Sequence, residues 1–215
     1  MTSNTLHLFS TPLLVDTLAS AEGIVALRTS IDDERRRDPD GVAISNIGGW
    51  HSNTQMIDWG GEAAKALAYK TMQMADSITI DVKSPRDSRF GWIPEMWANV
   101  SKYGASNQHH YHPGSYWSAV AYIDDGYAGD MDVSLGGELR LHDPRMPMMR
   151  MTAPDLRMLG PDRKPQNGLT TIRPKSGMIV LFPSWLQHHV QPFRGQGTRV
   201  SIAINLVAAL SQQSR

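Results

Sequence analysis

Apolar positions in the N-terminal part of the chain recur at helical spacing. Leu14, Leu18, Ala21 and Val25 follow an i, i+4, i+7 pattern, as do Ile24, Leu27 and Ile31. Before them, Leu6 to Val15 reads as extended and is interrupted by Pro12, and Asp16 is placed to cap the helix that follows. The charged run Asp32 to Arg37 predicts a solvated helix end. Ser45 to Ser52 predicts a loop around Gly48-Gly49-Trp50-His51, and Gly61 to Asp76, rich in Ala, Lys, Met and Glu, a second helix.

Beyond residue 76 the texture changes to short apolar runs separated by Gly, Pro, Asn and Asp. Strands are predicted at Ile78 to Val82, Phe90 to Trp97, Trp117 to Ile123, Glu138 to His142, Leu169 to Ile172, Met178 to Phe182 and Arg199 to Val207. Helices followed by strands point to a mainly β protein. Its core would be a jelly roll (a double-stranded β-helix) with helices packed on one face. A single domain over 1–215 is expected, with 1–76 as helical support and 77–208 as the jelly-roll core. Pro144 to Asn167 fits neither period. It is long and rich in Pro and Met (Met146, Met148, Met149, Met151), which suits a lid over a site.

Composition narrows the function classes. Lys plus Arg and Asp plus Glu are 21 each, so the net charge is zero and a nucleic-acid surface is not expected. With no cysteine, disulfides, thiolate zinc sites and cysteine nucleophiles are excluded. Met1 to Pro12 has neither a basic region nor an apolar run of signal-peptide length, and no stretch approaches a membrane span. The expectation is a cytoplasmic protein with no membrane partner. The 12 methionines and 6 tryptophans read as core packing.

The 8 histidines are unevenly spread: His109, His110 and His112 stand together, as do His188 and His189. In extended chain, residues i and i+2 share a face, so His110 and His112 can reach one ion. Spacing alone does not choose the metal, since neutral imidazole suits Fe, Zn, Cu and Ni. His188 opens an extended piece after the turn at Pro183-Ser184, a suitable place for a third ligand, although His188 and His189 read equally as loop residues beside Trp185. The run Arg199-Val200-Ser201-Ile202-Ala203-Ile204-Asn205-Leu206 tips the balance. Val200, Ile202, Ile204 and Leu206 form one apolar face. The other begins with Arg199 and Ser201, which can grip a carboxylate, the arginine bidentately. A metal ligand and an anion clamp on neighbouring strands suit a chelating acid.

These residues carry a resemblance. Asn107…His110-x-His112-Pro113-Gly114…Ser118-x-Val120-x-Tyr122-Ile123, Leu181-Phe182-Pro183-Ser184-Trp185-Leu186-x-His188-x-Val190 and Arg199-x-Ser201-Ile202-Ala203-x-Asn205 resemble a group of bacterial 2-oxoglutarate-Fe(II) oxygenases. More distantly they are similar to the prolyl-hydroxylase-like branch of that superfamily. The resemblance implies a double-stranded β-helix and Fe(II) and 2-oxoglutarate as cofactors. It implies iron held by His110, His112 and His188, and 2-oxoglutarate held by Arg199 and Ser201, with Tyr122 and Asn107 as further contacts. It implies oxidation of a small-molecule or protein side-chain substrate, with release of succinate and CO2. Tyr116, Trp117, Trp50 and His51 are candidates for the substrate pocket.

One position departs from the superfamily, which usually has His-x-carboxylate where this chain has His110-x-His112. Glu138, Asp124 or Asp143 is an alternative source of the acid, and His109 replaces His110 if the register differs by one. Two rival readings remain. One is a cupin-like three-histidine dioxygenase without 2-oxoglutarate: Gly104 followed by His110-x-His112 matches the start of a cupin motif, but Tyr116 and Trp117 stand where its Glu belongs. The other is a non-catalytic metal- or carboxylate-binding jelly-roll module. The sequence does not name the substrate or the oligomeric state, of which a homodimer is one option.

Overall fold

The computed structural model describes residues 5–18, 20–146, 153 and 155–211. Among these residues, eleven strands and three α-helices follow in the order β1 (Leu14–Thr17), α1 (Ala21–Arg37), β2 (Asn46–Ile47), β3 (Trp50–His51), α2 (Met56–Trp59), α3 (Gly61–Asp76), β4 (Phe90–Ser101), β5 (Ser106–His110), β6 (Trp117–Asp124), β7 (Leu139–His142), β8 (Leu169–Ile172), β9 (Met178–Pro183), β10 (His188–Val190) and β11 (Arg199–Leu210). They make a six-stranded sheet, β1-β9-β6-β11-β4-β3, and a five-stranded sheet, β2-β5-β10-β7-β8. This is the mainly antiparallel jelly roll that the helix-then-strand texture predicts.

The alternation in β6, β9 and β11 divides the molecule into two layers. Ala119, Ala121, Ile179, Leu181, Val200, Ile202, Ile204 and Leu206 face the helices, where they pack with Leu27, Ile31, Leu67 and Ala68. Tyr122, Val180 and Phe182, of opposite parity, pack with Leu139, Leu141 and Leu186 between the sheets. The functional residues lie in this second layer.

Several sequence expectations need correction. Helix α1 begins after Ser20, whose hydroxyl accepts the Gly23 N–H at 2.9 Å. Asp16 does not cap it. Leu14–Thr17 pairs with β9, which would otherwise be an open edge, so tertiary pairing overrides the helical period at Leu14 and Leu18. In the charged run, Glu34 is only 5% exposed and takes a fork from Arg37, so that helix end is not wholly solvated. Ile78–Val82 is not a strand. Asp81 accepts from Lys83 N–H and from the Arg89 guanidinium (2.7 and 2.9 Å), which folds the segment into turns and leaves Ile80 and Val82 in solvent. The loop around Gly48-Gly49 contains the two short strands β2 and β3, so the N-terminal region contributes strands to both sheets. Helix α3 and strand β8 lie where the sequence puts them. Met148, Met149 and Met151 of the suggested lid lie outside the described residues. Among the described residues no helix is long and apolar enough to cross a membrane.

Candidate metal and 2-oxoglutarate site

His110 ends β5 and His188 begins β10, and the two are direct partners in the antiparallel ladder. His112 lies just past β5, tied down by its backbone N–H to the Ser184 carbonyl at 3.0 Å. The ring centroids are 4.3 Å (110–188), 4.9 Å (110–112) and 5.1 Å (112–188) apart. One ligand atom from each ring lies within 4.8 Å of the others.

Second contacts set the tautomers. His110 Nδ1 donates to the Gln108 carbonyl at 2.6 Å and His188 Nδ1 to the Leu186 carbonyl at 2.8 Å. Each ring therefore keeps Nε2 as a lone pair, the arrangement that orients metal-ligating imidazoles. Burial, reinforced by the neighbouring imidazoles, lowers His188 to about 3 and His112 to about 4, and burial also lowers His110. All three are neutral near pH 7, with no acid beside them among the described residues to compensate a proton, and so are prepared for a cation. His51, 2% exposed, stacks on Trp97 at 5.6 Å, and Trp97 meets the His112 ring edge-on at 5.7 Å.

Arg199 sits on the inward face of β11 and is 1% exposed. Its Nε has no hydrogen-bond partner, and among the described residues it makes no ion pair. Its guanidinium carbon lies 5.3 Å from the centre of the Tyr122 ring, whose hydroxyl is likewise buried without a partner. Burial raises the Tyr122 phenol and the Arg199 charge opposes it, so it stays protonated as a donor. An uncompensated buried guanidinium is costly unless an anion joins it. This orphaned pair fits the far carboxylate of 2-oxoglutarate. Gly126 lets the chain pass close to the backbone of Arg199: at φ 76°, a Cβ there would stand 2.7 Å from the Phe193 ring and 2.9 Å from the Arg199 backbone nitrogen.

One narrow cavity is lined by His110, His112, His188, Arg199, Ser201, Tyr122 and Asn107, so the seven metal and co-substrate candidates converge. The four pocket candidates do not line it. Trp50 and Trp117 are buried core residues, donating to the Asp38 carbonyl and the Thr79 hydroxyl. His51 supports Trp97 from behind, and Tyr116 is exposed beside Trp92. The alternative acids do not reach the triad: Glu138 is held by Arg173, Asp124 by Arg28 and Asp143 by Arg145. His109 points away from the cavity, which places His110 in the inner register. Trp97, Asn99, Ser118 and Asn205 also line the cavity. Asn205 accepts from the Ser118 hydroxyl at 2.8 Å. Extending β4 beyond Trp97 would have found Asn99, because Trp97 and Asn99 oppose Ala203 and Ser201 in the ladder. A larger cavity of about 890 Å³, between residues 5–13 and the 141–145 and 158–167 segments, shares no lining residue with this one.

The family model described as "Putative 2OG-Fe(II) oxygenase" matches residues 95–205, which include every residue of the triad and the Arg199–Tyr122 pair. Three solved structures share the fold. A Pseudomonas putida prolyl-4-hydroxylase is 16% identical (TM-score 0.57, covering 92% of this chain and 93% of that one). A Trichoplax adhaerens prolyl hydroxylase in complex with a hypoxia inducible factor peptide is 14% identical (TM-score 0.61, 91% and 83%). HygX from Streptomyces hygroscopicus, with nickel, 2-oxoglutarate and hygromycin B bound, is 14% identical (TM-score 0.58, 92% and 83%). No curated protein matches the chain.

Proposed function

This chain belongs to the 2-oxoglutarate-Fe(II) oxygenase family, and we propose that His110, His112 and His188 hold the iron while Arg199 anchors 2-oxoglutarate for a hydroxylation. The observation that carries the assignment is the pairing of a neutral three-imidazole cluster with a buried guanidinium, its Nε unpartnered, in one cavity. One nitrogen from each of the three imidazoles would hold the metal and would leave it open to further ligands such as the keto acid. Arg199 and Tyr122 supply donors to the distal carboxylate, with Ser201 beside them on the same strand face. Asn107, on the strand that carries His110, lies at the other wall. When bound, iron couples oxidative decarboxylation of 2-oxoglutarate to oxidation of a substrate C–H bond, releasing succinate and CO2. The protein's part is to position the reactants and to keep water out.

The histidine at position 112 changes the electrostatics. With no carboxylate ligand, the three protein groups leave the metal's charge uncompensated, and the dianionic co-substrate becomes its main counter-charge. This favours 2-oxoglutarate binding as the step that completes the site. The substrate class is a small molecule or a protein side chain, and a chain without cysteine is compatible with a cytoplasmic home.

Anaerobic titration of Fe(II)-loaded protein with 2-oxoglutarate tests the reading. A visible metal-to-ligand charge-transfer band saturating at one equivalent is expected. Bound iron without a band would favour a three-histidine dioxygenase that uses no keto acid.

A further inference from the structure

The ladder that places His110 opposite His188 has a second consequence on the other face of the five-stranded sheet. Successive strand residues point to opposite faces. His109 and His189, the immediate neighbours of the two inner ligands, therefore both point outward. His142 joins them from β7. It stands diagonal to His189, whose direct β7 partner is Arg140. Three adjacent strands thus present three imidazoles to one point. The ring centroids are 4.2 Å (109–142), 4.2 Å (109–189) and 5.0 Å (142–189) apart. One ligand atom from each ring lies within 4.8 Å of the others.

We propose that His109, His142 and His189 form a second metal site, on the outer face of the sheet, that takes a borderline divalent ion, with zinc the best fit. Three neutral nitrogen ligands with a fourth position for water is a common zinc arrangement, and no thiolate or carboxylate here draws in a softer or harder ion. His142 Nε2 and His189 Nδ1 already lie 2.9 Å apart in a hydrogen bond that holds one proton between them. Ligands on a tetrahedral zinc stand roughly 3.3 Å apart, as bond lengths of about 2.0–2.1 Å require, so small ring rotations open the pair to accept the ion in place of that proton. Gln191 prepares the change. Its amide nitrogen donates to His189 Nε2 at 2.8 Å. Turned over, the same amide accepts from Nε2–H once Nδ1 binds metal. Arg140, which shares the outer face with His142, is the cation that acts on the cluster among the described residues, and it favours an anionic fourth ligand over a second cation. His109 is exposed and His142 lines the large surface cavity, so the ion has an open route in. The site ties β5, β10 and β7 together behind the inner triad, and does not depend on the identity of the inner metal.

Equilibrium dialysis of the metal-free full chain against Zn(II) alone, read by elemental analysis, tests the proposal. Wild type is expected to retain two equivalents and His142→Gln one. His142→Gln should still give the anaerobic iron–2-oxoglutarate band, since β7 contributes no inner ligand. His109→Gln serves as the second variant, also expected to retain one, and decides the matter if His142→Gln does not fold. Equal retention by wild type and a folded variant would overturn the outer site, whereas one equivalent lost from wild type to variant upholds it whatever the inner triad holds.

Discussion

The two faces of β11 share one backbone and have opposite chemistry. Val200, Ile202, Ile204 and Leu206 are 0% exposed and pack in the apolar cluster beneath the helices. Arg199, Ser201 and Asn205, also buried, face the second sheet across a cavity of polar groups and histidines. The first layer holds the fold and the second holds the chemistry. Because alternation keeps them on opposite faces, a change in one need not disturb the other, and each prediction below tests that separation.

The largest effect is expected in the chemical layer. His188→Ala should abolish iron retention, since a three-ligand site does not survive loss of its most buried member. Thermal stability of the metal-free protein should change little. Iron content equal to wild type would remove His188 from the ligand set.

Ile202→Ala probes the other layer. Truncating a fully buried aliphatic side chain should cost about 2–5 kcal/mol in denaturant unfolding. Under native conditions the iron–2-oxoglutarate band should keep its one-to-one stoichiometry. A band lost together with stability would mean that the two layers are coupled through the strand.

Arg199→Met separates them in the opposite sense. It removes an anion clamp worth about 1.5–3 kcal/mol to 2-oxoglutarate, the scale of a charge-assisted hydrogen bond, while iron stays bound. It also removes a buried charge that makes no ion pair among the described residues, so stability without co-substrate should hold or rise. Weaker co-substrate binding at unchanged or higher stability identifies a functional arginine; a stability loss with unchanged affinity identifies a structural one.

The same division explains what the sequence made legible. β11 alternates over its whole length, so its two faces and the pairing of Arg199 with Ser201 could be read directly. β5 (Ser-Asn-Gln-His-His) and β10 (His-His-Val) carry almost no apolar signal. They are strands because their partners hold them, and only the ladder shows that His110 and His188 are opposite each other. The double histidines looked like one loose cluster at each place, whereas each pair splits between two faces of a sheet. Trp50 and Trp117 were misplaced for a related reason: aromatics near a site and aromatics under a helix look alike in one dimension. The edge strand β1 was hidden by a helical period that runs through it, and Ile78–Val82 had the composition of a strand, but the bonds of Asp81 to Lys83 and Arg89 turn the segment instead.

His51 offers the finest test, because it belongs to neither layer wholly. Its ring is buried, its Nδ1 donates to the Ser52 carbonyl at 2.6 Å, and it reaches the metal site only through Trp97. If the stack holds His112 in place, His51→Ala should lower iron affinity about tenfold, the low end for groups that orient a ligand, with 2-oxoglutarate stoichiometry unchanged. His51→Phe keeps a flat ring on Trp97 and loses the hydrogen bond to Ser52, so it should recover most of that affinity. If phenylalanine does no better than alanine, the bond to Ser52 rather than the stack is the support. The division between layers would then extend to β3, where backbone anchoring, not aromatic contact, fixes the last ligand.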